Sequence, residues 1–212
     1  MVDALVLDAA RAAHIIGLAL GLGLAIFADV MAARSVLNPI ATKDVALLQV
    51  IHRAILAGLA VLWISGLFLL HARTGFDPTN FTPKLMLKLL VVVLLTANAL
   101  VIGRYALPTY KAHCGQRFGD IALTLRLRLA CVAALSLSCW FSALALGVFS
   151  QLKPMDAGSL QAVFAPLFLA GLVGAIAVTF LAGLASLTAR QPEPAWPRDV
   201  AMNRVTTRAL HP

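Results

Sequence analysis

Ionisable side chains that are capable of metal or proton chemistry lie within long apolar stretches of this sequence. They are His14, Asp29, His52 and His71, and Lys88 borders a further apolar stretch. A neutral imidazole binds metals through a ring nitrogen, a carboxylate accepts protons, and an ammonium group holds anions. Ionisable groups are costly inside a membrane helix, so each is a candidate functional residue if these stretches cross a membrane.

The composition indicates that these apolar stretches cross a membrane. Of the 212 residues, 61% are hydrophobic and 12% are charged, and the mean hydropathy is +0.91. Soluble domains contain about 45–50% apolar and about 25% charged residues, so a soluble enzyme is excluded, and a disordered chain is excluded as well. The net charge of +8 comes from basic residues at the ends of the apolar stretches. That distribution is typical of membrane topology rather than of nucleic-acid binding.

We predict an all-α fold, a polytopic membrane helix bundle that forms a single domain over residues 1–190. The five transmembrane helices are predicted at about 10–33, 50–72, 83–105, 127–150 and 160–189. The uncharged stretch 89–103 is shorter than the roughly 20 residues that cross a bilayer. Extending that helix back to Pro83 completes the span and places Lys84 and Lys88 in its first two turns. Pro166 predicts that the last helix starts late or is kinked near its start.

The distribution of basic residues predicts the orientation. With the N-terminus outside, the outer segments carry five of the 17 lysines and arginines, namely Arg11, Arg73, Lys84, Lys88 and Lys153. The positive-inside rule therefore favours an outside N-terminus and an inside C-terminus, with residues 191–212 as a cytoplasmic basic tail. The first ten residues contain two acidic and no basic residues, so we expect no cleaved signal peptide.

Helix geometry separates the polar residues into two layers. His52 and His71 are 19 residues apart, about 28 Å along a helix, so they cannot bind one small centre. The outer layer contains His14, His71 and Lys88, with Lys84 and Arg73 above them. The inner layer contains Asp29, His52 and Arg53.

The outer layer has the residue types that an iron porphyrin requires. His14 and His71 are the candidate metal ligands, and the neighbouring cations are candidates for holding anionic propionates: Lys88, Lys84 and Arg73. Two alternatives stay open, because His71 can be an ordinary residue at a helix end and Lys88 can extend to the lipid headgroups. In the inner layer, we expect Asp29 to neutralise Arg53 or to bond His52, since buried charges are normally paired.

Three segments carry a resemblance to a known family. They are AAHIIGLALGLGLAIF (12–27), VIHRAILAGLAVLWISGLFLL (50–70) and PKLMLKLLVVVLLTANALV (83–101). Together they resemble the CopD-like superfamily of small bacterial membrane proteins, which includes the copper-resistance D permeases and, distantly, the membrane protoporphyrinogen oxidase of haem synthesis. The resemblance implies a helix bundle associated with haem or copper in a bacterial inner membrane. It also implies that His14 and Lys88 form a functional pair, as in the oxidase branch.

We therefore expect a multi-pass inner-membrane protein that binds b-type haem near its outer face. Its function would be electron transfer or redox chemistry on a lipophilic substrate such as a quinone or porphyrinogen, or with a redox-protein partner. One alternative is a permease for copper or another small solute. Another is a structural subunit without a cofactor in a larger membrane complex.

Overall fold

The computed structural model describes residues 4–189, and within that range the protein consists of helices joined by short loops, without strands. Four long helices are α1 (Ala4–Ala33), α2 (Thr42–Thr74), α5 (Leu123–Val148) and α6 (Ala157–Ala189). Between α2 and α5, α3 (Pro83–Val101) continues through a π-helical segment (Ile102–Ala106) into the short α4 (Leu107–Ala112). Five helical segments are long and apolar enough to cross a membrane, the third being α3 to α4. The predicted all-α bundle of five spans is confirmed, and the predicted tail at 191–212 lies outside the described residues.

The helices extend further than the apolar stretches predicted. α1 begins at Ala4 rather than near residue 10, and α2 begins at Thr42 rather than near residue 50. The third span runs to Ala112 rather than to residue 105. Charged residues end an apolar stretch but do not end a helix. Asp8 and Arg11, for example, form an exposed ion pair of 2.8 Å on consecutive turns of α1.

The start of α6 is set by Asp156 and not by Pro166. The Asp156 carboxylate accepts hydrogen bonds from the Ser159 hydroxyl (2.5 Å) and from the backbone N–H of Gly158 (3.0 Å). These bonds hold the pKa of Asp156 below its usual range, because they favour the charged form. The helix begins at Ala157 and contains Pro166 in its interior, so the late start that the proline predicted is wrong.

Small residues allow α1 to pack closely between α2 and α5. A Cβ placed on Gly17 would lie 3.0 Å from the carbonyl oxygen of Gly58, so the backbones of α1 and α2 are in direct contact. Gly21, one turn further along α1, lies against the indole ring of Trp140 from α5. Trp140 is fully buried and forms the centre of the main hydrophobic core.

The orientation in the membrane remains a prediction that reporter fusions test. Fusions after residues 42 and 115 should report a cytoplasmic location, and fusions after residues 77 and 155 should report a periplasmic one, because basic residues are retained on the cytoplasmic side. The opposite pattern would exchange the outer and inner layers.

Candidate functional site

His14 is held by α2 in a defined orientation. Its Nδ1 lies 3.1 Å from the Ser65 hydroxyl oxygen. The same hydroxyl donates to the Val61 carbonyl oxygen at 2.6 Å, and while that bond is made the His14 Nδ1 is the donor to Ser65. A hydrogen bond that fixes the orientation of the ring is the usual arrangement of a metal-binding histidine.

Basic side chains lie at the same end of the bundle as His14. Lys88 is partly buried and interacts electrostatically with His14. Lys84 donates a hydrogen bond from Nζ to the Phe149 carbonyl oxygen at 2.6 Å, which ties the start of α3 to the end of α5. Arg73 is exposed and contributes to the same positive field. His14 and Lys88 therefore lie at the same end of the bundle, and the functional pair that the resemblance implies stays a prediction.

His71 lies apart from His14. It is exposed, and its ring packs against Phe76 with 5.0 Å between the ring centroids. His14 contacts α2 at Ser65 and Gly66. His71 is five residues beyond Gly66, about 7.5 Å along the helix axis. The geometry therefore favours the alternative in which His71 is an ordinary residue at a helix end. Within residues 4–189, moreover, no three histidine, cysteine or carboxylate side chains form a group that could hold a metal.

The half of the bundle that contains Asp29 and His52 has a cavity of about 530 Å³. Its walls are mainly apolar and come from α1, α2, the third span, α5 and α6. The few polar side chains that line it include Asp29, His52, Ser136 and Ser138. His14, His71 and Lys88 are not part of its lining. The cavity was not predicted, since its α5 and α6 walls are built from small apolar residues that look like ordinary membrane helix.

Asp29 lines this cavity without a partner. Its Oδ2 is buried and accepts no hydrogen bond from any residue between 4 and 189. Arg53 is exposed and forms no ion pair with it. The prediction that Asp29 neutralises Arg53 or bonds His52 is therefore wrong. Arg53 and His52 are adjacent on α2 and so point about 100° apart, which turns the guanidinium away from α1.

His52 lies at nearly the same depth as Asp29. α1 and α2 are antiparallel with Gly21 facing Gly58, so Asp29 is level with Val50, about 3 Å along the axis from His52. The imidazole packs against the π-helical segment, where a Cβ on Gly103 would lie only 2.8 Å from His52 Nε2. Pro108 lacks a backbone N–H and crowds the preceding turn, which accounts for the change from α to π geometry there.

Trp140 is a second residue of the cavity lining that has an unpartnered buried polar atom. The ring lines the cavity, and its Nε1–H is buried without an acceptor among the described residues. Most buried polar atoms in proteins have a hydrogen-bond partner, so an unpartnered donor and an unpartnered acceptor around one cavity mark a site for a polar ligand.

Comparisons with protein-family models, with curated proteins and with solved structures found no match to this chain.

Proposed function

We propose that the protein binds a lipophilic, hydrogen-bonding molecule of the quinone or quinol type within the membrane and takes part in its redox chemistry. The observation that carries this proposal is the unpartnered Asp29 carboxyl group in an apolar cavity of about 530 Å³. Ligand pockets of about 300–1,000 Å³ with apolar walls and few polar groups are typical of small-molecule sites.

The polar groups suit a ring that carries oxygen atoms at its edge. Asp29 can accept a hydrogen bond or a proton from a quinol hydroxyl, and the Trp140 ring lies at the wall of the same cavity. His52, level with Asp29, can exchange a proton with the same ligand. Reduction of a quinone consumes two electrons and two protons, so proton-exchanging side chains at its edge are required. The electrons come from a redox partner of this protein.

Access from the lipid supports the same ligand class. The cavity margin includes Phe141 and Val178, which are 41% and 45% exposed on the membrane surface of the bundle. A molecule dissolved in the hydrocarbon can therefore enter from the side, at α5 and α6, without crossing water.

A haem does not suit this cavity. Its propionates need cations, and the lining contains no lysine or arginine from the described part of the chain. The Asp29 carboxylate would repel them, and His52 is the sole imidazole of the lining.

Fluorescence of Trp140 tests the proposal directly. In a Trp63→Phe/Trp196→Phe background, Trp140 is the single tryptophan of the chain. A short-chain ubiquinone analogue should quench it saturably, since quinones quench indole fluorescence at short range. A matched reporter with Trp63 alone, whose Nε1 is bonded to Thr96 Oγ1 at 2.9 Å, should show only the linear quenching caused by partition into detergent. Identical linear quenching of both reporters would contradict the proposed site.

A second candidate function rests on the outer layer. The His14 imidazole and Lys88 fit one axial ligand and one propionate partner of a b-type haem, and haem supplies one-electron transfer when bound. Copper at His14 would lack further described ligands.

The visible spectrum of the purified protein tests the haem candidate. We expect a Soret band that His14→Ala abolishes or reshapes, because the iron bond is lost. Lys88→Ala should weaken haem retention without changing the spin state, because only a charge contact is lost. A colourless protein, or an unchanged spectrum after His14→Ala, would exclude haem at His14.

A further inference from the structure

A second pocket, of about 410 Å³, lies where the start of α5 meets the end of α6. Under the predicted orientation this is the cytoplasmic end of the bundle. The lining includes Gly119, Leu123, Arg126, Phe180, Gly183 and Leu187. Asp120 lies at its exposed rim. The pocket is separate from the Asp29 cavity, whose lining shares none of these residues.

Arg126 is the basic group of this pocket, whose lining also includes the acidic Asp120. Its side chain is only 9% exposed, and its Nε and Nη1 atoms have no hydrogen-bond partner in the part of the chain that the structure describes. A buried guanidinium with free donors is strongly unfavourable, so it requires an anion that accepts its hydrogen bonds and balances its charge. The planar guanidinium matches a phosphate group, which accepts two parallel hydrogen bonds from it.

Glycines make room for the guanidinium. A Cβ on Gly183 would lie 2.7 Å from Arg126 Nη1, so any larger residue would displace the side chain. Gly119 lies directly against the backbone of Ala182, which brings the loop before α5 onto α6. α5 also begins here without a side-chain cap at Ala122, so its free backbone N–H groups and helix dipole add positive potential.

The outer wall of the pocket is apolar and exposed. Phe180, Leu184 and Leu187 of α6 are 55%, 59% and 65% exposed, and they form a strip that runs from the pocket towards the membrane centre. A free phosphate ion would contact only the charged end of this surface. A phospholipid would contact the charged end with its phosphate, at Arg126, and the apolar strip with its acyl chains, along α6.

We propose that this pocket binds the phosphate group of an anionic phospholipid from the adjacent leaflet. Basic pockets between transmembrane helices on the cytoplasmic side hold lipid headgroups by this chemistry. The proposal is independent of the proposed function, because it depends on no residue of the Asp29 cavity.

Native mass spectrometry of the full-length protein tests the lipid site, with phosphatidylglycerol or phosphatidylcholine added to detergent. We expect the wild type to retain phosphatidylglycerol selectively and to be thermally stabilised by it. Arg126→Gln should weaken this binding by about tenfold, because it removes charge-assisted hydrogen bonds. Arg128→Gln is the matched control, since Arg128 is exposed on a different face of α5 and should behave like the wild type.

Further variants keep the test decisive if Arg126→Gln fails to fold. Gly183→Ala retains the arginine but displaces it, so lipid retention should also fall. Unchanged retention in Gly183→Ala and in Arg126→Lys would overturn the proposal. Stabilisation by inorganic phosphate alone, equal to that by phosphatidylglycerol, would replace the lipid with a free anion. A Glu193→Gln/Asp199→Asn variant tests whether the chain's own carboxylates occupy the pocket. If lipid selectivity appears only in this variant, they do, and the proposal is overturned.

Discussion

Gly21→Ala is expected to destabilise the protein by about 3 kcal/mol, at the upper end of the usual cost of overpacking. The new methyl group would occupy the position of the fully buried Trp140 ring, so the ring or the two helices must shift. The free energy of unfolding, measured by denaturant titration in mixed micelles, should fall accordingly.

The matched control is Gly23→Ala on the same helix. A Cβ on Gly23 meets no atom within 4 Å, so its effect should stay within about 0.5 kcal/mol of the wild type. Adding Trp140→Phe to Gly21→Ala should recover part of the lost stability, because the smaller ring makes room for the methyl group. Equal effects of the two alanine substitutions would mean that α1 does not pack on α5 through Gly21.

Asp29→Asn is expected to weaken quinone-analogue binding by about tenfold or more while the fold remains at least as stable as the wild type. Asparagine has nearly the same shape, but it carries no charge and cannot accept a proton. The carboxyl group has no described partner to lose, so its removal costs no native interaction. Saturable quenching of the single Trp140 and the thermal unfolding temperature measure the two effects separately.

Asp8→Asn provides the control, because it alters a carboxylate at the exposed end of the same helix. Three outcomes of Asp29→Asn are distinguishable. Loss of stability with unchanged binding would restore a structural role, such as pairing with His52. Loss of solute transport with intact folding and unchanged binding would favour the permease alternative. Loss of binding with intact folding supports the quinone site.

The number of membrane spans and the candidate polar residues could be predicted from the sequence alone. Apolar stretches of about 20 residues have few stable arrangements other than membrane helices, whose backbone groups are satisfied within the segment. His14, Asp29 and His52 stand out for the same reason, since an ionisable residue in such a stretch is conspicuous without any knowledge of packing. The pairing of His14 with Lys88 came from the resemblance.

The depth of a residue along its helix was also predictable, but the direction in which its side chain points around the helix axis was not. His71 and Arg53 were assigned to the correct ends of α2, yet both side chains are exposed and neither meets its expected partner. Arg126 falls just outside the predicted helix at 127–150, because an apolar stretch was taken to end at each charged residue. The helix in fact begins at Leu123 and carries Arg126 into the bundle.

The Asp29 cavity, the contact of Gly21 with Trp140 and the Arg126 pocket were decided only by the tertiary structure. Each depends on how neighbouring helices are rotated and how closely they approach. In a soluble protein, the polar face of a helix reveals that rotation. In a membrane, the surfaces that face lipid and those that face other helices are equally apolar, so their pattern in the sequence cannot distinguish them.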